Sequence, residues 1–200
     1  MKKYFLQLSF ITLTIIASQN AWSQDVGFGI KGGLNLANLK VDDPEATYNS
    51  RTGYHAGIFI RGKFNKIAIQ PEVLISTQRN LKDMGTLGTV ENSFTYLSVP
   101  VMIKFYPISG LNLQVGPQFG FLLDGEQKYK TTLFTGTRDI KDSYDNSDVS
   151  ISLGTGFDFP FGLGIDFRYN IGVKDINNEA NGEEAKSQLF MLSLGWNFIK

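Results

Sequence analysis

Cysteine is missing from the 200-residue chain, and histidine occurs once, at position 55. Without thiols, neither a disulfide nor a thiolate metal site is available to the fold. The single histidine leaves carboxylates as the only other metal ligands, and these show no clustered ligand spacing. We therefore expect a protein that binds no metal and uses no cofactor.

The chain also lacks an excess of positive or negative charge. Nineteen lysines and arginines balance nineteen aspartates and glutamates, so the formal net charge is 0. Proteins that bind nucleic acids need a basic surface, so this balance indicates no nucleic-acid partner. After the N-terminal segment, the sequence contains no run of about 20 apolar residues, which a membrane-spanning helix requires. If the chain enters a membrane, it must do so as a closed barrel of strands.

Residues 1–23 have the layout of a secretory signal peptide. A short basic region, a mostly apolar stretch over residues 5–17 and the small-x-small site Ala21-Trp22-Ser23 follow one another. The apolar stretch is too short and too often interrupted for a spanning helix. We predict cleavage after Ser23, which leaves one all-β domain over residues 24–200.

Eight later segments alternate large apolar residues with small or polar ones. Successive side chains of a strand point to opposite faces, so each segment predicts an amphipathic β-strand. The predicted strands cover residues 26–36, 52–64, 66–77, 94–106, 111–123, 148–159, 162–173 and 188–198. Short turns follow the second, fourth and sixth strands, and long polar connections follow the first, third, fifth and seventh. This arrangement predicts an all-β fold, an eight-stranded antiparallel up-and-down transmembrane β-barrel.

The apolar faces of these strands are predicted to point outward. An eight-stranded barrel has an interior that side chains just fill, and Gly, Ser, Asn and Gln dominate the polar faces. Aromatic residues lie near both ends of the apolar faces, as in barrels that span a bilayer. A soluble lipocalin-like barrel, with its apolar face inside, is the alternative.

The connection lengths also predict an orientation. In outer-membrane barrels the short turns are periplasmic and the long loops are extracellular. Both termini of this chain are then expected in the periplasm. We expect a monomeric barrel surrounded by outer-membrane lipid.

Three prolines lie inside predicted strands, at Pro71, Pro100 and Pro117. Proline has no N–H and cannot donate a hydrogen bond to a neighbouring strand. We therefore predict a bulge or locally weak strand pairing at each of the three positions.

Several stretches together make the chain similar to the PorT-like outer-membrane β-barrel family of Gram-negative bacteria. They cover residues 29–36, 69–74, 96–104, 110–118 and 162–169. The resemblance implies an outer-membrane barrel without a catalytic motif. It also implies secretion or envelope proteins as partners, because the named member of the family is implicated in secretion across the outer membrane. Many members have an acid where this chain has Ser98, so a lumen charge is expected to be missing here.

The polar faces carry six charged side chains that are predicted to point into the lumen. They are Arg61, Glu72, Lys104, Asp158, Asp166 and Arg168. Unpaired buried charge is costly, so these groups are expected to pair with one another. One interpretation is a salt-bridged plug that fills the barrel. The other is a site that senses protons or a ligand.

His55 starts the second predicted strand, near the predicted outer rim. A catalytic triad would need a serine and an acid that converge on this histidine, and nothing in the sequence brings them there. We expect no enzyme. An outer-membrane lipid-modifying enzyme that uses His55 is the less favoured alternative.

The longest connection, residues 124–147, mixes aromatic and cationic side chains, a composition typical of binding surfaces. The candidate binding residues are Tyr129, Phe134, Arg138 and Tyr144. Alternation in its first part equally favours a strand that extends above the membrane. The favoured function is a non-enzymatic barrel that binds a partner or ligand through its extracellular loops, or that supports secretion or envelope assembly. A small porin-like passive channel is the alternative.

Overall fold

The computed structural model describes residues 25–40, 48–83, 88–130, 135–141, 147–173 and 186–199. The predicted signal peptide lies outside these residues. Within them, no helix is long and apolar enough to cross a membrane.

The described chain consists of nine antiparallel β-strands. They are β1 Asp25–Lys40, β2 Tyr48–Phe64, β3 Ile67–Asp83, β4 Thr89–Phe105, β5 Leu111–Lys130, β6 Thr135–Asp139, β7 Ser147–Asp158, β8 Leu163–Gly172 and β9 Lys186–Asn197. Eight of them form a closed ring in which each strand pairs with its neighbours, and β1 pairs with β9 to complete it. The short strand β6 stands outside the ring and pairs with β5. The predicted eight-stranded up-and-down barrel is therefore confirmed.

Three tight connections lie at one end of the barrel, which we call the turn end. They join β2 to β3, β4 to β5 and β7 to β8. The backbone there takes positive φ at Asn65 (52°), Gly110 (84°) and Gly162 (108°). Glycine and asparagine adopt this left-handed conformation most readily, which explains these residue types at the turns. The opposite end is called the loop end.

Several strands continue beyond their predicted limits at the loop end. β3 ends at Asp83 instead of residue 77, β4 begins at Thr89 instead of residue 94, and β5 ends at Lys130 instead of residue 123. Together they form a raised sheet, which we define as residues 48–51, 77–83, 89–95, 124–130 and 135–139. For residues 124–130 and 135–139, the strand-extension interpretation of the long connection is therefore correct.

Each strand proline interrupts the pairing with one neighbour. The ladder of β2 and β3 is broken opposite Pro71, that of β3 and β4 opposite Pro100, and that of β4 and β5 opposite Pro117. The register is the same on both sides of each interruption. Register shifts occur elsewhere, between Arg51 and His55 and between Thr95 and Tyr96. The predicted weak pairing is thus confirmed, and the bulges lie at other positions.

The apolar faces of the strands point outward and the polar faces point into the lumen. Ile69 and Leu194 on the outer wall are 54% and 56% exposed, whereas Lys104 and Arg168 inside are 0% and 1% exposed. This distribution excludes the lipocalin-like alternative. Aromatic rings neighbour one another on the wall, with Phe157 and Phe159 4.9 Å apart near the turn end and Tyr169 and Phe190 4.6 Å apart nearer the loop end.

Candidate functional site

A cluster of five charged side chains occupies the middle of the lumen. Its members are Lys31, Glu72, Lys104, Asp166 and Arg168, and each is at least 95% buried. Arg168 binds Glu72 through two parallel hydrogen bonds, of 2.8 Å from Nη1 to Oε2 and 2.5 Å from Nη2 to Oε1. This two-pronged geometry is the strongest form of an arginine–carboxylate pair. We call the five residues the lumen cluster.

Two lysines join the carboxylates of the lumen cluster. Lys31 Nζ donates to Glu72 Oε1 at 2.9 Å and to Asp166 Oδ2 at 2.6 Å. Lys104 Nζ donates to Asp166 Oδ1 at 3.1 Å. Because each carboxylate contacts at least two cations, removal of one cation still leaves a partner for the acid.

Neutral amides complete the hydrogen bonding of the lumen cluster. Gln114 accepts from Arg168 Nε at 2.8 Å and donates to Asp166 Oδ1 at 2.8 Å. Gln70 donates to Glu72 Oε1 at 2.6 Å. Buried charge is tolerated only when its remaining donors and acceptors are satisfied, and these amides supply the missing partners.

A second polar group lies between the lumen cluster and the turn end. Arg61 pairs with Asp158 at 3.2 Å, and its Nε donates to Gln70 Oε1 at 2.7 Å. The Tyr106 hydroxyl donates to Asp158 Oδ2 at 2.8 Å. Burial raises the pKa of the Tyr106 phenol above its usual range, so the phenol keeps its proton and remains a donor to the carboxylate.

The structure therefore brings the six charged residues that were predicted to point into the lumen into one network. Glu72, Lys104, Asp166 and Arg168 are in contact within the lumen cluster, and Arg61 is connected to it through Gln70. Sequence reasoning missed Lys31, although that residue alternates with glycines on the inward face of the first strand. Alternation along the strand could have shown that Lys31 points inward. Its contact with Glu72 could not be predicted, because the two residues are 41 positions apart in the sequence.

His55 lies in the lumen, where it contacts a serine and an asparagine. Its Nε2 is 2.9 Å from Ser193 Oγ and its Nδ1 is 2.7 Å from Asn35 Oδ1. Sequence reasoning did not find this arrangement because closure of the ring brings the first and last strands together. All three residues are at least 98% buried, so a substrate carbonyl cannot reach Ser193 in this conformation.

Apolar side chains pack together on the inner side of the barrel at the loop end. Phe94, Leu122 and Ile140 pack together in a buried cluster, and Tyr96 packs against it. Ile140 follows β6 and its N–H donates to Gly125 O at 2.9 Å, which fixes the end of the β5–β6 hairpin over the barrel. Ile140, in the long connection, thus packs against the side chains of Phe94 and Leu122 on two strands of the ring. We call these three residues the apolar cap.

A row of polar side chains crosses the raised sheet beside the apolar cap. Strand register aligns Asn80 with Asn92, Asn92 with Gln127, and Gln127 with Arg138. Gln127 Nε2 donates to Asn92 Oδ1 at 2.8 Å, and the Tyr129 hydroxyl donates to Gln127. Two predicted binding residues, Tyr129 and Arg138, thus both neighbour Gln127. The other two, Phe134 and Tyr144, lie outside the described residues.

A recess of about 210 Å³ opens at the turn end of the barrel. Arg61, Lys63, Tyr106 and Asp158 line it together with residues of the turns. The Lys63 ammonium lies 4.2 Å from the centroid of the Tyr106 ring, a cation–π distance. In the described residues, no group of three or more His, Cys, Asp or Glu side chains is arranged to hold a metal ion.

Solved structures share this fold. Ail, the attachment invasion locus protein of Yersinia pestis, solved in complex with the heparin analogue sucrose octasulfate, is 17% identical with a TM-score of 0.52. That match covers 87% of this chain and 99% of Ail. Neisserial surface protein A is 9% identical with a TM-score of 0.52, over 86% of this chain and 97% of its own. No curated protein matches the sequence.

The sequence itself carries the signature of a family. The outer membrane protein beta-barrel domain matches residues 17–178, which is well over half of the 200 residues. The closed ring of eight strands, the apolar wall and the polar lumen described above agree with that match. The chain belongs to the outer-membrane protein β-barrel domain family.

Proposed function

We propose that this protein is a closed, non-enzymatic outer-membrane barrel that binds a ligand or partner through its raised sheet. In this proposal the raised sheet is extracellular, and the turn end and both termini face the periplasm. The observation that carries it is the filling of the lumen. The lumen cluster blocks the middle, the Arg61–Asp158 group lies towards the turn end, and the apolar cap covers the loop end.

A passive channel, the alternative function, is disfavoured by the same contacts. Ions cross a pore through a continuous water-filled path, whereas the lumen cluster here is at least 95% buried and its charges are paired. Opening a path would separate ion pairs that have been removed from water, and breaking one such pair costs on the order of 3–5 kcal/mol. We therefore assign no steady conductance to the protein.

Binding is assigned to the raised sheet because the other surfaces have structural tasks. The wall must stay apolar in lipid and the lumen is filled by its own side chains. The raised sheet projects beyond both and presents half-buried polar residues with Tyr129 and an exposed Arg138. Ail, which has the same fold, is described in complex with a heparin analogue, and this makes ligand binding by such a small barrel a reasonable expectation.

Membership of the PorT-like branch remains part of this proposal. It is supported by the stretches at residues 69–74, 96–104 and 110–118 that resemble that family. They occupy β3, β4 and β5, the strands that also build most of the raised sheet. If the resemblance extends to function, the bound partner is a secretion or envelope protein.

Photo-crosslinking in intact cells tests the proposed binding surface. A photo-reactive amino acid is placed either at Arg138 on the raised sheet or at Ile108, which is 64% exposed at the turn end. We expect Arg138 to capture an extracellular ligand or partner and Ile108 not to capture it. Capture of the same molecule from Ile108 alone would overturn the assignment to the raised sheet.

A variant with a shortened β5–β6 hairpin tests the same binding surface in a second way. Replacing residues 128–137 by Asn-Gly retains Gln127, Arg138 and Ile140 and closes the hairpin with a type I′ turn. The barrel should still assemble, shown by heat-dependent migration on a gel, because the lumen cluster and the apolar cap are intact. Capture from Arg138 should be lost with the upper part of the sheet, and full retention of capture would contradict the proposal.

A second candidate function rests on Ser193, His55 and Asn35, whose contacts follow the order nucleophile, base and orienting group. Their burial argues against hydrolysis. A fluorophosphonate probe tests this directly, with Ser193→Ala and His55→Ala as controls. Labelling of Ser193 that both variants abolish would establish an enzyme, and we expect none.

A further inference from the structure

We propose that the inner face of the raised sheet binds a short oligosaccharide that is neutral except for one acidic group. This inference rests on the proposed function, because it names the class of ligand for the same surface. It is carried by a polar row of three carboxamides and one arginine, which we call the carboxamide row. Its members are Asn80, Asn92, Gln127 and Arg138.

The carboxamide row is continuous across four strands. Its members are direct register partners on β3, β4, β5 and β6, so they share one face of the sheet. Three interstrand spacings of about 4.8 Å separate the first from the last, a span of roughly 14 Å. Such a length suits a short chain of sugars better than a single small molecule.

Register identifies the face on which the row lies. The next row towards the membrane aligns Phe94 with Gly125, and Ile140 hydrogen-bonds to Gly125, so this face is the one that carries the apolar cap. The carboxamide row therefore lies directly above the covered lumen. The apolar cap lies on the lumen side of the row, and a ligand on the row does not need to enter the barrel.

The chemistry of the row fits sugar hydroxyls. A carboxamide has two N–H donors and two acceptor lone pairs, so Asn92 and Gln127 keep bonding capacity beyond their mutual hydrogen bond, and a sugar hydroxyl likewise both donates and accepts. Asn80, Asn92 and Gln127 are half-buried, which leaves part of each side chain open to solvent. The Asn92–Gln127 hydrogen bond holds two of the amides in a fixed orientation, so less order has to be gained on binding.

Tyr129 and Arg138 add two further features of the proposed site. Tyr129 lies two residues after Gln127, and its hydroxyl hydrogen bond to Gln127 holds its ring beside the row. An aromatic face provides an apolar contact for sugar C–H groups. Arg138 ends the row, and its exposed guanidinium is suited to pair with one carboxylate.

The outer face of the same strands lacks this chemistry. Charged residues dominate there, with Lys128 3.5 Å from Glu126 and Arg79 3.8 Å from Glu91. A ligand with many charges would be expected on that face, or on a strongly basic surface. The inner row offers three neutral amides and one cation, and this charge pattern favours a ligand with one acidic group.

An oligosaccharide array tests the inference on the full mature barrel in lipid nanodiscs. The array carries neutral oligosaccharides and the same chains that end in a uronic acid. We expect binding to the acidic members and about tenfold weaker binding to their neutral counterparts, because a charge-assisted hydrogen bond is lost. Asn92→Leu with Gln127→Leu should weaken binding to both sets by at least about tenfold.

Two single variants separate loss of a contact on the inner face from loss of a positive charge anywhere on the raised sheet. Arg138→Gln should lower binding to the acidic members by about tenfold, to the level of their neutral counterparts. Lys128→Gln, on the outer face of β5, should change neither. Equal losses in Arg138→Gln and Lys128→Gln would overturn the assignment to the inner face.

The crosslinking test and the array test together separate failure of the saccharide inference from failure of the proposed function. If Arg138 captures a protein in cells and no array member binds, the raised sheet is a binding surface and the saccharide inference is wrong. If neither test gives binding, both proposals fail. Binding that the carboxamide double variant does not weaken would also overturn the saccharide inference.

Discussion

Glu72 accepts hydrogen bonds from Arg168, Lys31 and Gln70 in a part of the lumen that excludes solvent. Such an acid cannot lose one partner without cost, because the remaining charges stay buried. Alternation along the strands placed most of these residues inward. It could not specify which cation meets which acid, since partners such as Arg168 and Glu72 are 96 positions apart. Closure of the ring and the stagger of its strands determine that choice.

The Glu72–Arg168 pair gives the first prediction. Glu72→Gln and Arg168→Met should each lower the free energy of unfolding by about 3–5 kcal/mol, because each breaks the two-pronged buried pair and removes one charge from a network that stays out of water. Urea unfolding of the barrel in detergent measures this. Glu126→Gln is the control, since Glu126 and Lys128 pair at the surface, where such pairs contribute at most about 1 kcal/mol. Similar small losses in all three variants would contradict a closed ionic lumen.

Tyr106 gives a prediction about pH. Its pKa is raised from the ordinary value of 10.0 by burial, so the unfolded chain ionises at a lower pH than the folded barrel. Stability from the protonated phenol is therefore fully present below pH 10.0 and falls as the pH rises above it. Tyr106→Phe should be less stable than the wild-type protein at pH 8 and should show a smaller further decline above pH 10.0. Parallel declines for the two proteins would show that Tyr106 is not responsible.

At the scale of the element, the ring strands were predictable where one face meets lipid. In β7, Val149, Ile151 and Leu153 alternate with Ser150 and Ser152, and the predicted and observed strands nearly coincide. Outside the β5–β6 hairpin, the raised sheet was not predictable in this way. Both of its faces are largely polar, so alternation disappears although backbone pairing continues. Backbone pairing with neighbouring strands continues there without an apolar face in lipid.

Ile140 provides the prediction at this scale. Ile140→Asn should weaken the apolar cap, because a buried apolar contact is lost and a polar group is placed beside Phe94 and Leu122. We expect faster amide hydrogen exchange in β6 and in the upper part of β5, and an unchanged rate in β1, β8 and β9. Thr137→Asn, at an exposed position of β6, is the control. Equal exchange in both variants would show that Ile140 does not anchor the hairpin.

For the whole molecule, the sequence predicted the inside and the outside of the barrel correctly. The decisive argument was volume, since an eight-stranded interior is too narrow for the Phe, Leu and Trp side chains of the apolar faces. Because the interior is so narrow, the side chains of the lumen cluster are enough to fill its middle. The covering of the loop end was not predictable, because it depends on the contacts of one residue, Ile140, with two strands of the ring.

Electrical recording in a planar bilayer shows whether this lumen is closed. The purified mature barrel is inserted into the bilayer after heat-dependent migration on a gel has shown that it is folded. We predict no steady ionic conductance in the wild-type protein, because paired charges and the apolar cap occupy the path. A stable, ion-selective open state would contradict the account and would favour the passive channel.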